Sequence, residues 1–317
     1  MQPRRILSVM AGAIISLALP LAYAQDNKPI RIIVPFTAGS GSDDGSRFYA
    51  DLISKRLHRT VIVENKPGAS GVIAVQTVLN EPADGNTILL GSNSLIAVNP
   101  LTVKDISYDP FKDLEPLHGL MISSPAIIVS ADSPYKSISD LVATYRENSN
   151  PLLVGTYSDG YKLVGKWIEQ ETDTKVTNVP YKGGSQMVTD LIGGRLDFGL
   201  NDQTGILPLL SAGKIRALAI TASAREPKMP DIPTMKELGF DGMESYVWSA
   251  FSVKHGTPAP IKAELAQAIT EVQNSPEGKK FAQQRAGKPL ALSLDELGNF
   301  QRLEYERFKK IVESADH

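Results

Sequence analysis

Short apolar runs alternate with amphipathic stretches along most of the chain. Residues 43–58 repeat apolar side chains at helical spacing, and similar patterns predict helices over 137–148, 258–274 and 293–314. Further apolar runs predict strands at 30–34, 60–64, 87–91, 126–130, 151–155, 176–180, 195–200, 215–221 and 246–254. This alternation predicts an α/β fold with largely parallel strands that helices cover on both faces.

The first 24 residues have the three-part pattern of a secretory signal. Arg4 and Arg5 precede the apolar run 6–19, and "AYA" at 22–24 is a small-residue cleavage site. The run is shorter than a membrane-spanning helix requires, which argues against a permanent membrane anchor. The mature protein is therefore expected to begin near Gln25 and to be periplasmic.

Charge and composition narrow the possible functions. The 317 residues include 33 Lys and Arg against 35 Asp and Glu, which gives a net charge of −2. This balance argues against a nucleic-acid or polybasic membrane partner. The absence of cysteine excludes disulfide bonds and also a lipid-modified cysteine after the cleavage site.

The stretch "VPFTAGSGSDDGSR" at 34–47 joins a predicted strand to a predicted helix. Such a turn presents backbone N–H groups at a helix N-terminus, which suits an anion. A dinucleotide fingerprint would need glycine at Asp44, and no lysine completes a phosphate-binding loop. A small anion such as a carboxylate fits better. The alternative is a plain N-cap, in which Ser42 or Asp43 satisfies the free N–H groups.

A second loop, in the other half of the chain, has a similar pattern. Gly155, Thr156, Ser158 and Gly160 lie between a predicted strand and a predicted helix, where an ordinary connection is the alternative. Two donor-rich loops on opposite sides of a cleft would hold a dianion. Asp202 follows a further strand, where it either contacts the ligand or begins a turn.

Nothing in the sequence supports a catalytic or metal site. The nucleophile motif G-x-S-x-G is absent, there is no thiol, and none of the four histidines lies in a Gly-rich turn. Histidine pairs at metal-ligand spacing are also absent. The sequence predicts a binding protein without cofactor or metal. The alternatives are a sensory module that presents its ligand to a membrane receptor, and an exported hydrolase or transferase.

A set of sequence runs resembles a known family. The runs are "IRIIVPFTAGSGSDDGSR", "VIVENKPGASGVIA", "PADGNTILLGSNSLIAVNP", "YDPFKDLEPL", "VPYKGGSQMVTDLIGGRLDFGLND", "AGKIRALAIT" and "MPDIPTMKELGF". On these runs, essentially the whole mature chain closely resembles the Bug family, the periplasmic solute-binding proteins of tripartite tricarboxylate transporters.

The resemblance implies a two-lobed Venus-flytrap fold, in which each lobe is a mostly parallel sheet flanked by helices. The first lobe would comprise 25–125 plus 248–317 and the second 126–247, with crossing strands at 126–130 and 249–254. It further implies that a small organic carboxylate binds between the lobes and that membrane permease subunits receive it. The protein is expected to be a monomer.

The resemblance also implies ligand contacts from both lobes. One carboxylate would meet main-chain donors of the first loop, and the far end of the ligand would meet the second lobe. The residues assigned to the ligand site are Phe36, Thr37, Ala38, Gly39, Ser40, Gly41, Ser42, Asp43, Ser92, Asn93, Gly155, Thr156, Tyr157, Ser158, Asp159, Gly160, Tyr161, Lys162, Tyr181, Lys182 and Asp202.

Both loops depart from the usual family pattern. The first lacks a proline and a glycine, and the second is slightly shorter and lacks the usual serine and histidine. The second loop instead contains Tyr157, Tyr161 and Lys162, which would let an aromatic acid stack on the rings and pair with the lysine. The alternative is that both tyrosines face solvent and that Lys162 is a surface charge.

Overall fold

The computed structural model describes residues 28–315 as two mixed sheets flanked by helices, so the predicted signal segment lies outside the described residues. The strands are β1 Ile30–Val34, β2 Val61–Asn65, β3 Thr87–Ser92, β4 Leu114–Ser123, β5 Pro125–Ser130, β6 Leu152–Thr156, β7 Val176–Pro180, β8 Phe198–Asp202, β9 Ile215–Ile220, β10 Val247–Lys254 and β11 Lys288–Pro289. The helices are α1 Gly41–Leu57, α2 Val72–Leu79, α3 Asn99–Thr102, α4 Pro110–Asp113, α5 Ile138–Asn148, α6 Asp159–Thr172, α7 Gly184–Ile192, α8 Gln203–Ser211, α9 Ala259–Asn274, α10 Pro276–Gln283 and α11 Leu294–Ala315.

Local chemistry explains why β1 and α1 form where they do. β1 reads IRIIV and is buried except at its arginine, as expected for a strand covered on both faces. α1 begins after Ser40, whose hydroxyl accepts a hydrogen bond from the amide of Asp43 at 3.1 Å. Lys55 and Arg56 lie in its last turn, where positive charge favours the helix dipole.

The first sheet has the strand order β11-β4-β10-β3-β1-β2, and the second has the order β7-β6-β8-β5-β9. Parallel pairs join β1 to β2 and β3, and β6 to β7 and β8. β10 is antiparallel to β3 and β4, and β5 is antiparallel to β8 and β9. The sheets are therefore mixed, not mostly parallel, because the strands that follow a crossing enter each sheet in the reverse direction.

Most predicted elements are confirmed, but two strands escape the sequence pattern. β4 contains Pro116, His118 and Gly119, which interrupt its apolar run, and β11 has only two residues. The four predicted helices correspond to α1, α5, α9 and α11. At the start of α5, Ser137 and Asp140 form the capping box that their spacing predicts.

One short and one long crossing join the sheets. β4 ends at Ser123 and β5 begins at Pro125, so that Ser124 alone separates them. Gln203, at the start of α8, donates a hydrogen bond to the Ser124 hydroxyl. Residues 221–246 return the chain from β9 to β10. β5 and β10 thus lie next to the crossings, as expected, while the exact boundaries of the lobes stay a prediction.

Each lobe has an apolar core of its own. Ile32 and Phe251 are fully buried in the first lobe, and Ile127 and Phe198 are fully buried in the second. Separate cores allow two lobes to move relative to each other without unpacking either one. Within residues 28–315, no helix combines the length and the apolar character that crossing a bilayer requires.

Candidate functional site

A cleft between the lobes brings together the N-termini of three helices. Gly41 and Ser42 of α1 line it from the first lobe, and Ser158 before α6 and Thr204 of α8 line it from the second. The cleft encloses about 100 Å³. Helix N-termini present unpaired N–H groups and partial positive charge, so their convergence favours a small anion.

The structure brings only part of the predicted site together. Nine of the predicted residues line the cleft, namely Phe36, Gly41, Ser42, Ser92, Asn93, Tyr157, Ser158, Tyr161 and Asp202. Gly39 and Ser40 line an adjoining pocket that shares Phe36, Tyr157 and Asp202 with the cleft. The predicted residues that line neither space are Thr37, Ala38, Asp43, Gly155, Thr156, Asp159, Gly160, Lys162, Tyr181 and Lys182.

The first loop leaves backbone donors free at the cleft. The hydroxyl of Ser40 accepts a hydrogen bond from the amide of Asp43, and its carbonyl accepts one from the amide of Asp44. No hydrogen bond within residues 28–315 engages the amides of Gly41 and Ser42. These two N–H groups therefore remain available to an anion.

Asp43 stabilises this loop and does not line the cleft. Its buried carboxylate accepts hydrogen bonds from the amide of Gly39 at 3.0 Å and from Asn65 Nδ2 at 2.9 Å, and it pairs with Arg47 at 3.0 Å. Burial by itself would raise the pKa of Asp43, but the bonds from Arg47, Gly39 and Asn65 bring it below its usual value. The charge is thus compensated within the loop, so it does not oppose an anion at the neighbouring amides.

The second loop is bound into the protein. A side chain at Gly155 would come within 2.6 Å of apolar side chains, so this glycine permits the close packing of β6. Thr156 Oγ1 donates a hydrogen bond to Asn178 Oδ1 at 2.6 Å. The amide of Gly160 donates to Ser94 Oγ of the first lobe at 3.2 Å. The Thr156 hydroxyl and the Gly160 amide are therefore already used, whereas the Ser158 hydroxyl lines the cleft.

Several predicted contacts lie away from the cleft. Lys162 is exposed on α6 and does not line the cleft, as expected of a surface charge. Lys182 is also exposed, and the Tyr181 hydroxyl donates to Asp190 at 2.9 Å. Asp159 is partly exposed at the first position of α6. On α6, the neighbouring Gly160 and Tyr161 are buried instead.

Tyr157 and Tyr161 form an aromatic wall of the cleft, so the interpretation that both face solvent is wrong. Their ring centroids are 4.7 Å apart, and Tyr157 meets Phe36 edge-on at 5.8 Å. The Tyr157 hydroxyl donates to Asn201 Oδ1 at 2.7 Å and lies 3.2 Å from the Tyr161 hydroxyl. Burial raises the pKa of both hydroxyls well above the usual 10.0, which keeps them neutral.

Asp202 is the carboxylate among the described residues that line the cleft. One of its oxygens accepts a hydrogen bond from the amide of Gly205 at 2.8 Å, and the other lies 3.3 Å from the Tyr157 hydroxyl. Burial raises the pKa of Asp202 above its usual 3.8, and the bonds from Gly205 and Tyr157 and the charge of Arg285 offset this only in part. Asp202 therefore accepts hydrogen bonds, and its raised pKa makes its protonation sensitive to nearby charge.

Sequence reasoning missed the part of the cleft that comes from distant segments. Ser94, which follows β3, Trp248 of β10, Phe281 of α10 and Arg285 all line it. The Arg285 guanidinium stacks on Phe281 at 3.9 Å and pairs with Asp44. Its only sequence signal is a lone arginine before a turn glycine, a pattern that ordinary surface loops share.

The lining of the cleft is suited to binding. It combines backbone donors, hydroxyls and aromatic rings with one carboxylate and one guanidinium, and no histidine from the described residues lies beside its serines. In the part of the chain that the structure describes, no group of three or more His, Cys, Asp or Glu side chains could hold a metal ion. The arrangement can orient and enclose a small polar molecule.

The fold and the cleft define a two-lobed solute-binding protein. A family model described as the tripartite tricarboxylate transporter family receptor matches residues 46–316. A UPF0065 protein of Agrobacterium vitis is 33% identical over 324 residues, which cover 98% of this chain and 91% of that protein. The chain belongs to the tripartite tricarboxylate transporter receptor family, to which the Bug proteins also belong.

Solved structures are similar over nearly the whole chain. The periplasmic binding protein BugD has a TM-score of 0.86 at 27% identity, with 91% of this chain and 97% of that chain covered. A protein of R. palustris solved with adipate has a TM-score of 0.86 at 29% identity, with the same shares of 91% and 97%. These similarities confirm the two-lobed periplasmic-binding-protein fold.

Proposed function

We propose that this protein captures a small organic carboxylate in the cleft between its lobes and delivers it to the permease subunits of a tripartite transporter. The observation that carries the proposal is the pair of free amides of Gly41 and Ser42 at the N-terminus of α1, in an enclosed space that residues at the starts of α6 and α8 also line. Family membership and the relative solved with adipate support a carboxylate as the ligand. The protein binds the ligand without transforming it.

The first lobe supplies the main anion contacts. The free amides of Gly41 and Ser42 receive one carboxylate, and the side chains of Ser92 and Asn93 lie across the same cleft. Each charge-assisted hydrogen bond contributes about 1.5–3 kcal/mol to binding. Enclosure strengthens these bonds because water, which would screen them, is excluded.

Closure of the lobes completes the site. Ser158 Oγ accepts a hydrogen bond from the hydroxyl of Ser94 at 3.0 Å, and Gly160 bonds to the same hydroxyl. Gly183 lies so close to the side chain of Thr37 that it has no space for a β-carbon. These contacts join the lobes directly, so the ligand enters when hinge motion about the two crossings separates them.

We favour an aliphatic di- or tricarboxylate over an aromatic acid. The rings of Tyr157 and Tyr161 pack against each other and against Phe36, so they already have aromatic partners. Lys162, which was expected to hold the second carboxylate of an aromatic acid, lies on the surface. Both features that favoured an aromatic ligand are thereby weakened.

The proposal includes the location and organisation of the chain. Residues 1–24 are removed on export, and the mature monomer acts in the periplasm. Its lobes are 25–125 plus 248–317 and 126–247. N-terminal sequencing of the exported protein tests the cleavage, and light scattering tests the monomer. Limited proteolysis tests the lobe boundaries.

A thermal-shift screen tests the binding function. The mature protein, stripped of bound ligand, is screened against aliphatic mono-, di- and tricarboxylates, acidic amino acids and aromatic acids. A ligand at 100 times its dissociation constant stabilises the fold by about 2.7 kcal/mol, a readily visible shift. No shift with any acid would overturn the proposal. Recovery of an altered ligand, detected by NMR, would instead indicate an enzyme.

A further inference from the structure

Arg285 is the cation among the described residues that line the cleft. Its side chain is only 14% exposed, whereas that of its partner, Asp44, is 67% exposed. A guanidinium held away from water needs a negative partner to replace its lost hydration. Asp44 meets this need only in part, because water and salt screen an exposed carboxylate.

Two stacked aromatic rings lie beside this guanidinium. Arg285 Cζ lies 3.9 Å from the ring centroid of Phe281, and Phe281 stacks on Phe48 with centroids 3.8 Å apart. A planar guanidinium presents its N–H groups at its edge, which matches the two oxygens of a carboxylate. Nη2 bonds to Asp44, and no other hydrogen bond of this guanidinium occurs within residues 28–315.

The backbone next to Arg285 is held by the second lobe. The carbonyl of Ala286 accepts a hydrogen bond from Thr204 Oγ1 at 3.0 Å, and the amide of Gly287 donates to the Glu226 carboxylate at 3.2 Å. Ala286 is fully buried among apolar side chains of that lobe. The guanidinium, in contrast, contacts α1 and α10 of the first lobe, so its position depends on both lobes.

We propose that Arg285 binds one carboxylate of the ligand, together with the amides of Gly41 and Ser42, and that this contact forms only in the closed molecule. The inference rests on the proposed function. Asp44 lies in the first turn of α1, and Arg285 lines the same cleft as Gly41 and Ser42, whose amides are free. Asp44 then competes with the ligand for the same cation. Arg285 thus sets the preference for acids over neutral analogues.

Calorimetric titrations of the mature chain test this role, with adipate, malate and citrate as probes and their neutral amides for comparison. Arg285→Gln is expected to weaken acid binding by about 10- to 100-fold, the loss of charge-assisted hydrogen bonds to a fixed cation. It also removes most of the salt dependence of the affinity. Arg285→Lys keeps the charge without the planar fork and is expected to lose less.

Two further variants separate a ligand contact from a structural latch. Arg302 lies over the ring of Phe111 at 4.8 Å, away from the cleft, so Arg302→Gln removes a comparable cation–π contact and should leave affinity unchanged. Asp44→Asn removes the competitor, so acid affinity should stay the same or increase. Were Arg285 only a latch to Asp44, Asp44→Asn and Arg285→Gln would weaken binding equally.

The outcomes for the inference and for the proposed function differ. Equal acid affinity and equal salt dependence in Arg285→Gln and the wild type would overturn the inference and leave the proposed function intact. A folded wild-type protein that binds none of the acids would overturn the proposed function as well. Thermal unfolding of the ligand-free variants checks their folding. If Arg285→Gln does not fold, the acid affinity of Arg285→Lys is compared with that of the wild type: a weaker affinity supports the inference, and an equal affinity overturns it.

Discussion

The two loops that enter the cleft share a sequence pattern and differ in what they offer a ligand. In the first, Ser40 and Asp43 hold the turn, and the amides of Gly41 and Ser42 stay free. In the second, the amide of Gly160 is already bonded to the opposite lobe. A Gly- and Ser-rich turn therefore predicts N–H groups at a helix start, but tertiary partners decide which remain available.

The buried aspartates on the two sides show the same contrast. The pKa of Asp43 is lowered because, despite burial, Arg47 and two further donors stabilise its charge. The pKa of Asp202 is raised because burial outweighs its donors. Asp43, on the side of the first lobe, therefore stays ionised with its charge compensated. Asp202, on the side of the second lobe, can be neutralised by taking up a proton.

The largest expected effect comes from preventing the close contact between Gly160 of the second loop and the first lobe. A side chain at Gly160 would come within 2.6 Å of Ser94 Oγ and 3.0 Å of Asn93 Nδ2, so Gly160→Val should hold the lobes apart. If only ~1% of molecules can close, affinity falls about 100-fold. Calorimetry measures this loss, and small-angle scattering should show a more open molecule.

Gly165→Ala is the matched control for that variant. It lies on the same helix, where a β-carbon would meet Leu200 and Val154 at an ordinary 3.7 Å, so binding should be retained. Normal affinity in Gly160→Val would mean that the contact with Ser94 is not part of the ligand-bound state.

A smaller effect is expected from straining the first loop. Gly39 has φ +78°, a conformation that β-branched residues avoid, and nothing lies within 4 Å of its β-position. Gly39→Val should therefore cost about 1–3 kcal/mol through backbone strain, and binding should weaken as the turn rearranges. Urea unfolding and calorimetry measure the two effects.

Gly45→Ala provides the comparison within α1. Gly45 also has no neighbour within 4 Å but has ordinary helical geometry, so alanine should gain about 0.5–1 kcal/mol of stability. Unchanged stability and affinity in Gly39→Val would show that the turn conformation does not determine the site.

Removing one hydroxyl of the aromatic wall should have a moderate effect. Tyr157→Phe loses the bond to Asn201 Oδ1, which should lower the free energy of unfolding by about 0.5–1.5 kcal/mol and weaken ligand binding. Tyr181→Phe loses a comparable bond to Asp190 outside the cleft, so it should affect stability alone. Equal ligand affinities of the two variants would argue against a role for this wall in binding.

The smallest expected effect is a pH dependence from the second lobe. Because the folded-state pKa of Asp202 lies above 3.8, its protonated form is favoured on folding, and its contribution to stability is lost as pH rises through that raised pKa. A bound anion raises this pKa further. The contribution of Asp202 should therefore weaken acid affinity as pH rises through this range, with proton uptake by Asp202 on binding.

Titrations in buffers of different ionisation enthalpy measure that proton uptake. Asp202→Asn should remove this proton uptake and change the slope of affinity with pH. The same slope in Asp202→Asn and the wild type would place the titrating group elsewhere.

Local chemistry made much of the fold predictable. The capping box of Ser137 and Asp140 and the helical spacing in α1 act over a few residues, and both predictions are confirmed. β4 was not predicted because Pro116 and Gly119 interrupt its apolar pattern. Pairing with β10 nevertheless maintains the strand. Hydrogen bonding to neighbouring strands, which a single segment does not reveal, decides such cases.

The candidate site was less predictable because its residues meet across the chain. Arg285 pairs with Asp44, which is 241 positions away, and no local motif marks either residue. Lys162 and Tyr161 are adjacent in sequence, yet the helix exposes the first and buries the second. Loop composition indicated where a ligand binds, whereas helix rotation and interlobe contacts determine which side chains face it.

The contact between Thr37 and Gly183 belongs to a seam, a line of contacts where the two lobes meet. Nearby, the Ser185 hydroxyl lies 3.5 Å from the carbonyl of Gly39, and Lys182 is exposed beside this seam. The seam is one continuous patch while the lobes touch and becomes two separate edges when they part. A partner protein that binds residues on both sides of the seam would therefore distinguish the closed molecule from the open one without contacting the ligand. On the proposed function, the cleft selects the ligand, whereas release to the permease depends on the surface that the two lobes form together.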